Sequence, residues 1–365
     1  VGSGHKVRIP WAMPSLGEEE KEAVQEVIES TWIGGNGPIL KKFEKEFARS
    51  VGARYAIGVN NGTSALLCAL LALREKWTSF TVIVPTFTFI ATANVVKVLR
   101  LPLELQDAKW DTWNIDAEKV NKKVDVLIPV DVGGLPCDYD TIKKLDCFIL
   151  EDAAEGLGGV YHGKKIGSIA DITTFSFHAA KVVSTGEGGM LTTNNKELYE
   201  IMKSIANQGY PESKKSWEYE HSRLGLNFRM TELQAALGLV QLKKLPKFLR
   251  KRQEIAKIYK EELSKYGSFQ RVPKGVKHPY FLFGILVKPK KRDKLCKEML
   301  KEGVQVKITW RPVHLQKPYT EFSSKEFPVA EFLYRRIISL PIHNNMTEED
   351  AKEVVSIFKR CWRRV

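Results

Sequence analysis

FILEDAAEGLGGVYHGKKIGSIADITTFSFHAAKVVSTGEGGMLTTN, residues 148–194, is the part of the chain from which the rest can be read. It opens with an apolar run, 148–150, that reads as a buried strand, and the acids Glu151 and Asp152 stand at that strand's carboxyl end. Open parallel sheets bind ligands at the carboxyl ends of their strands. A second apolar run, 172–177, carries Ser176 and leads into His178. Lys181 follows, and then the turn Gly186, Glu187, Gly188 and Gly189.

A carboxylate, a hydroxyl, a lysine and a glycine turn, all at strand ends, point to pyridoxal 5'-phosphate. That cofactor needs a lysine amine to hold its aldehyde as a Schiff base. It needs a carboxylate against the pyridine nitrogen, so that the ring stays protonated and draws electrons. Hydroxyls and backbone N–H groups must surround its phosphate. Lys181, Asp152 and Ser176 supply the amine, the carboxylate and one hydroxyl, and the glycines allow a tight turn beside a ligand.

EDAAEGLGG, GKKIGSIADITTFSFHAAK and TGEGGML resemble the DegT/DnrJ/StrS family of sugar aminotransferases, which are pyridoxal-phosphate enzymes of fold type I. The resemblance runs over nearly the whole chain, roughly 9–358, with several motifs in the family's order. It implies an α/β fold: a large cofactor-binding domain with an N-terminal arm, residues 9–245, and a smaller α+β C-terminal domain, residues 246–365. The large domain would hold a mostly parallel seven-stranded sheet between helices. The resemblance also implies a catalytic pair, Lys181 and Asp152, with Glu155 beside the cofactor.

Upstream, apolar runs at 55–59, 81–85, 103–107 and 124–130 read as strands, mostly separated by helical stretches. Such alternation is that of a parallel sheet covered on both faces. The polar turn after 55–59, Asn60 to Ser64, leads into an apolar helix, 65–73, an arrangement that offers N–H groups and hydroxyls to a phosphate. NGTSAL resembles the family's phosphate loop, which carries Gly62, Thr63 and Ser64 into the cofactor site. Phe89 matches the family's ring-stacking aromatic. Asp131 stands where the family often has a histidine. Before the first strand, helices are expected at 18–30 (capped by Ser15 or Gly17) and 39–51. Between them TWIGGNGP carries Trp32 and Gly37, which the resemblance puts near substrate.

Downstream, a helix is expected from Asn195 to about residue 208, followed by a polar loop. LGLNFRM then resembles a second family signature. In it Asn227 reaches the cofactor phosphate of the partner subunit, and Arg229 lies close by. The basic stretch 244–251, interrupted by Pro246, reads as the exit from the large domain, with a helix at about 247–266 leading into the small one. Further on, 280–287 alternates like an antiparallel strand and 292–302 reads as a helix. KITWRPVH, 307–314, and LPIH, 340–343, resemble family landmarks, and His314 is expected to face the cleft between domains. An amphipathic helix, 348–362, ends the chain.

The 57 Lys+Arg against 43 Asp+Glu give a net charge of +14. The lysines are scattered over helix-like segments, so the excess reads as a solvated surface rather than a nucleic-acid site, with a mild bias toward anionic substrates. Five cysteines without metal-ligand spacing point to free thiols in the cytoplasm. The opening VGSGH reads as a cloning remnant. No signal peptide and no apolar run of about 18 residues is seen, so no membrane partner is expected. GxGxxG after a strand, GxxxxGK[ST], HExxH and GxSxG are absent, which disfavours dinucleotide, P-loop, zinc-peptidase and serine-hydrolase chemistry, and no metal site is expected.

The resemblance implies a homodimer with shared sites. It implies transfer of an amino group, from L-glutamate, to a keto sugar linked to a nucleoside diphosphate. A sugar dehydratase within the family has a histidine in place of the lysine, so Lys181 favours transamination. A non-catalytic cofactor-binding regulator would not need both Asp152 and Lys181.

Overall fold

The computed structural model describes residues 7–120, 123–210 and 220–365. Most of the polar loop before LGLNFRM and the opening VGSGH lie outside them. Two helices, α1 (Glu18–Glu29) and α2 (Pro38–Val51), come first. The Glu20 carboxylate accepts from the Gly17 N–H at 2.7 Å and closes the first turn of α1, so Gly17 is the cap.

An alternating segment follows: β1 (Tyr55–Val59), α3 (Gly62–Arg74), β2 (Val82–Pro85), α4 (Ala91–Val98), β3 (Leu103–Gln106), β4 (Val126–Leu127), α5 (Tyr139–Ile142) and β5 (Phe148–Asp152). A hairpin of β6 (Val160–Tyr161) and β7 (Lys164–Lys165) leads to β8 (Ile172–Ser176), β9 (Gly189–Thr193), α6 (Lys196–Ala206) and α7 (Glu232–Leu263). The chain ends with β10 (Ser268–Phe269), β11 (Val276–Lys277), β12 (Phe283–Leu286), α8 (Pro289–Lys301), α9 (Pro328–Tyr334), β13 (Ile337–Leu340) and α10 (Glu348–Arg364).

Seven strands form one sheet in the order β1-β9-β8-β5-β4-β2-β3. Pairings from β3 through β8 are parallel, and β9 alone runs against both of its neighbours. A parallel return would need a crossover helix. The chain instead turns back through 177–188, which leaves that loop, with Lys181, at the edge where β1, β2, β4 and β5 also end. β4 is shorter than the apolar run 124–130 suggested: Pro129 has no N–H to give to the ladder, and beyond it pairing with β5 continues only as an isolated bridge of Val130 to Asp152, where the Asp131 N–H donates to the Asp152 carbonyl at 3.2 Å.

One face of the sheet packs Leu66, Leu70, Val95 and Ile201. Phe43, Phe47, Phe175 and Phe177 pack together elsewhere, with edge-on and tilted rings. A third core gathers Ile255, Tyr259, Phe283, Ile338, Val354 and Phe358 around the small sheet β10-β12-β13.

One sequence expectation needs correction. Residues 232–263 are one helix of 32 residues, with Pro246 inside it, rather than an exit at 244–251 followed by a helix from about 247. Tertiary packing against α1, α2 and α10 outweighs the hydrogen bond that proline removes. The N-terminal arm touches two cores: Ile9 belongs to the third, while Trp11, whose Nε1 donates to Ser339 Oγ at 3.0 Å, packs against the second.

Candidate active site

The chemistry gathers at the carboxyl edge of the large sheet. Asp152 ends β5 and is buried. Its Oδ2 accepts from Thr92 Oγ1 at 2.7 Å, and its Oδ1 from the Ala154 N–H at 3.1 Å. Burial pushes its carboxyl above the ordinary range, while the Thr92 hydroxyl, the Ala154 N–H and the Lys181 charge pull it back.

The Lys181 amine lies 3.6 Å from Glu155 Oε1 and 4.2 Å from the centroid of the Phe281 ring. The other Glu155 oxygen accepts from the Gly133 N–H at 2.8 Å. Burial raises the Glu155 carboxyl too, and the Lys181 charge is the largest opposing effect. Asp152, Glu155 and Lys181 therefore share one enclosed pocket of charge.

Beside them α3 begins at Gly62, three residues before the apolar run 65–73. Asn61 caps it, its side chain accepting from the Ser64 N–H at 2.8 Å. Gly62 and Thr63 supply the first N–H groups of the helix, which have no partner inside it. A Cβ on Gly62 would stand 2.9 Å from the Ser176 Cβ, so glycine lets the helix start close against the end of β8. The turn before β9 is equally close: a Cβ on Gly189 would stand 2.5 Å from the Asn61 carbonyl oxygen.

The other expected residues are spread around this edge. Phe89, exposed, follows β2 and meets Trp310 edge-on at 5.4 Å. Asn227 is exposed; its carbonyl accepts from Asn60 Nδ2 at 3.3 Å, and its backbone bridges Asn207. Arg229 bridges Val59 and donates to Asn207 Oδ1 at 3.0 Å. The glycine loop of Trp32 rests on this segment, since a Cβ on Gly35 would stand 3.0 Å from the Arg229 Cβ. Trp32 itself is exposed, and Gly37 packs against the Glu232 carboxylate that caps α2.

His314 corrects an expectation. Its side chain is only 2% exposed, with Nδ1 at 2.7 Å from Thr86 Oγ1 and the Phe327 ring against it, so it does not face an open cleft. Thr92, Phe281 and Trp310 were not singled out from sequence. Thr92 lies one helical turn past the aromatic match at Phe89, which could have drawn attention to it.

The profile of the DegT/DnrJ/EryC1/StrS aminotransferase family matches residues 14–359. The chain belongs to that family. It is 37% identical to the GDP-perosamine synthase of Escherichia coli O157:H7, over 93% of this chain and 95% of that one. Among solved structures it resembles Helicobacter pylori PseC, an aminotransferase involved in the biosynthesis of pseudoaminic acid, with a TM-score of 0.92 and 29% identity, covering 98% and 100% of the two chains. The sugar aminotransferase Spr1654 of Streptococcus pneumoniae, solved in a PMP form, superposes with a TM-score of 0.91 and 26% identity, again over 98% and 100%.

Like other members of the family, the protein is a pyridoxal-phosphate-dependent aminotransferase. Its residues fit that cofactor. The close approach of Gly62 to Ser176 brings the first free N–H groups of α3 beside a hydroxyl at the strand end, a combination that suits a phosphate. Asp152 spends one hydrogen bond on each oxygen, and a carboxylate can accept about four.

Behind Asp152 lies a second pair of acids, Asp131 and Glu151, both fully enclosed. Glu151 accepts from Thr173 Oγ1 at 2.7 Å and from the Tyr139 hydroxyl. Asp131 Oδ1 accepts from the Cys137 N–H at 3.0 Å, but Oδ2 has no donor among the described residues. Burial, reinforced by Glu151, raises Asp131 well above the ordinary range. A folded-state pKa above the unfolded value gives stability that is complete at low pH and lost as pH rises through the raised value. Asp131→Asn should therefore gain stability over the parent at about pH 8.5, by about 1 kcal/mol or more, with the gain shrinking toward about pH 4.5. Thermal melts at the two pH values measure it; a difference independent of pH would refute the shared-charge account.

Proposed function

We propose that this enzyme moves an amino group from L-glutamate to a keto sugar linked to a nucleoside diphosphate, yielding an amino sugar nucleotide in the cytoplasm. The observation that carries the reading is the meeting of Lys181, Asp152 and the N-terminus of α3 at one sheet edge. The sugar-nucleotide part is supported by the relative named for GDP-perosamine synthesis. The unit up to about residue 245 would hold the cofactor, and the remainder would close over it.

In this reading Gly62, Thr63, Ser64 and Ser176 bind the phosphate, and Phe89 covers the ring. Asp152 holds a negative charge against the pyridine nitrogen. The bound cofactor supplies an electron sink for the carbon that carries the amine. Lys181 Nζ would hold the cofactor at its aldehyde carbon and, once displaced by the donor's amine, would be the base that takes the proton from the donor's carbon. Glu155, 3.6 Å away, keeps that amine aimed into the pocket. Trp32 and Arg229 border the sugar nucleotide; for His314, enclosed by Thr86 and Phe327, we propose support of the wall rather than direct contact.

The test of substrate class is a panel of GDP-, UDP- and dTDP-linked keto sugars with glutamate, scored by 2-oxoglutarate and by the mass of the aminated product. Turnover of free keto sugars in preference to every linked one would overturn the assignment.

The active unit in this proposal is a twofold homodimer in which Asn227 reaches the phosphate bound by the partner chain. Its exposed side chain on a backbone anchored to Asn60 and Asn207 supports this. Asn227→Asp alone should lose about tenfold or more, since a carboxylate opposes the phosphate charge. Mixed with an inactive Lys181→Ala chain, it should regain activity, because one site of each mixed dimer is then whole. No recovery despite demonstrated subunit exchange would mean that Asn227 acts within its own chain.

A further inference from the structure

Arg252, on the middle of α7, is 1% exposed, and among the described residues no carboxylate pairs with it. A buried guanidinium without a counter-ion is costly unless its N–H groups are satisfied. Here Nε and Nη1 find acceptors on two separate segments, 280–281 and 342–344. Nη1 donates to the carbonyls of Tyr280, Phe281 and Ile342 at 3.0, 3.3 and 3.0 Å. Nε donates to Asn344 Oδ1 at 2.8 Å.

Asn344 continues the chain of contacts. It is itself buried, and its Nδ2 donates to the carbonyl of Val182, the residue after Lys181, at 2.8 Å. Phe281, held by the same guanidinium through its carbonyl, presents its ring to the Lys181 amine at 4.2 Å. Two lines of contact from one buried cation thus lead to Lys181, one to the carbonyl of the next residue, Val182, and one to the amine itself. Both segments come from the C-terminal third of the chain, whereas Lys181 lies in the loop between β8 and β9 of the large sheet.

We propose that Arg252 and Asn344 are positioning residues for Lys181, fixing the peptide at Val182 and the ring of Phe281 so that the amine is delivered in one orientation. The inference rests on the assignment of Lys181 as the cofactor-binding lysine. A mispositioned amine should attack an aldehyde more slowly, since misplacement of about 1 Å can cost about 100-fold in rate. The cation itself need not be lost for this to happen.

Asn344→Asp separates positioning from plain support. It keeps the shape and the acceptor facing Arg252, and it gives that cation a carboxylate. It also replaces the donor to Val182 by an acceptor, and the neighbouring guanidinium keeps the acid ionised. The cofactor-free, full-length protein is mixed with pyridoxal 5'-phosphate, growth of the visible band is timed, and the product is reduced with borohydride and mapped by peptide mass. The expected result is a melting temperature at or above the parent's with capture at Lys181 slowed by about tenfold or more. Arg252→Lys, which keeps the charge but reaches fewer acceptors, is read in the same way and decides the matter if Asn344→Asp does not fold. Capture at Lys181 at the parent rate in the folded variants overturns the inference and leaves the assignment of Lys181 standing. A label on another lysine in the parent protein overturns the assignment and the inference with it.

Discussion

Lys181→Ala should lower transamination by about 10⁴-fold or more while the protein stays folded. The loss is so large because one amine serves two purposes in the proposed reaction. It holds the cofactor before the donor arrives, and it then moves the proton at the donor's carbon. Among the described residues no second base stands ready to take over. Without the Lys181 charge, burial pushes the Glu155 carboxyl further toward its neutral form, with one oxygen still accepting from the Gly133 N–H, and His178 is exposed, its Nδ1 accepting from the Ala180 N–H. Fold is checked by thermal melting and cofactor retention by absorbance, since the N-terminus of α3 is untouched. Borohydride treatment of the parent should label Lys181 and no other lysine. Residual turnover within about 100-fold of the parent would show that another group moves the proton.

Asp152→Asn should cost about 100-fold or more in turnover. The substitution keeps the shape and one acceptor oxygen. The Thr92 hydroxyl and Ala154 N–H can still find the oxygen, although only one of the two donors can do so at a time. What disappears is the charge, and charge matters most where charge develops in an enclosed site. The group is 5% exposed, so water cannot replace it. Steady-state kinetics should show the loss chiefly in kcat. Turnover near the parent value would mean that Asp152 does not stabilise the reacting ring.

Much of this site is legible in the sequence because its central residues are local. The strand 172–176, Ser176 at its end and Lys181 five residues on lie in one short stretch, and NGTSAL announces the α3 terminus by itself. The reversal at β9 is less visible. GMLTT is an ordinary apolar strand, and nothing in it says that it runs against its neighbours. Pro246 misled, because a proline breaks a helix on local grounds while the packing of α7 against three other helices is not local. Arg252, Phe281 and Asn344 were invisible for the same reason. Each is unremarkable in its own segment, and only the fold brings them to Lys181. His314 shows the reverse failure, a suggestive side chain that the fold encloses.

The continuity of α7 limits how this molecule can breathe. A helix of 32 residues that packs on α1, α2 and α10 is a single rod that ties these helices together. A displacement of α10 relative to α1 and α2 would bend that rod or slide along it. Helices bend sharply where a proline has removed a rung of the backbone ladder. Pro246 is that missing rung, six residues before Arg252. The weakest joint of the rod thus lies just ahead of the cation that reaches across to the catalytic loop, so flexing there would be felt first at Asn344 and the Val182 peptide.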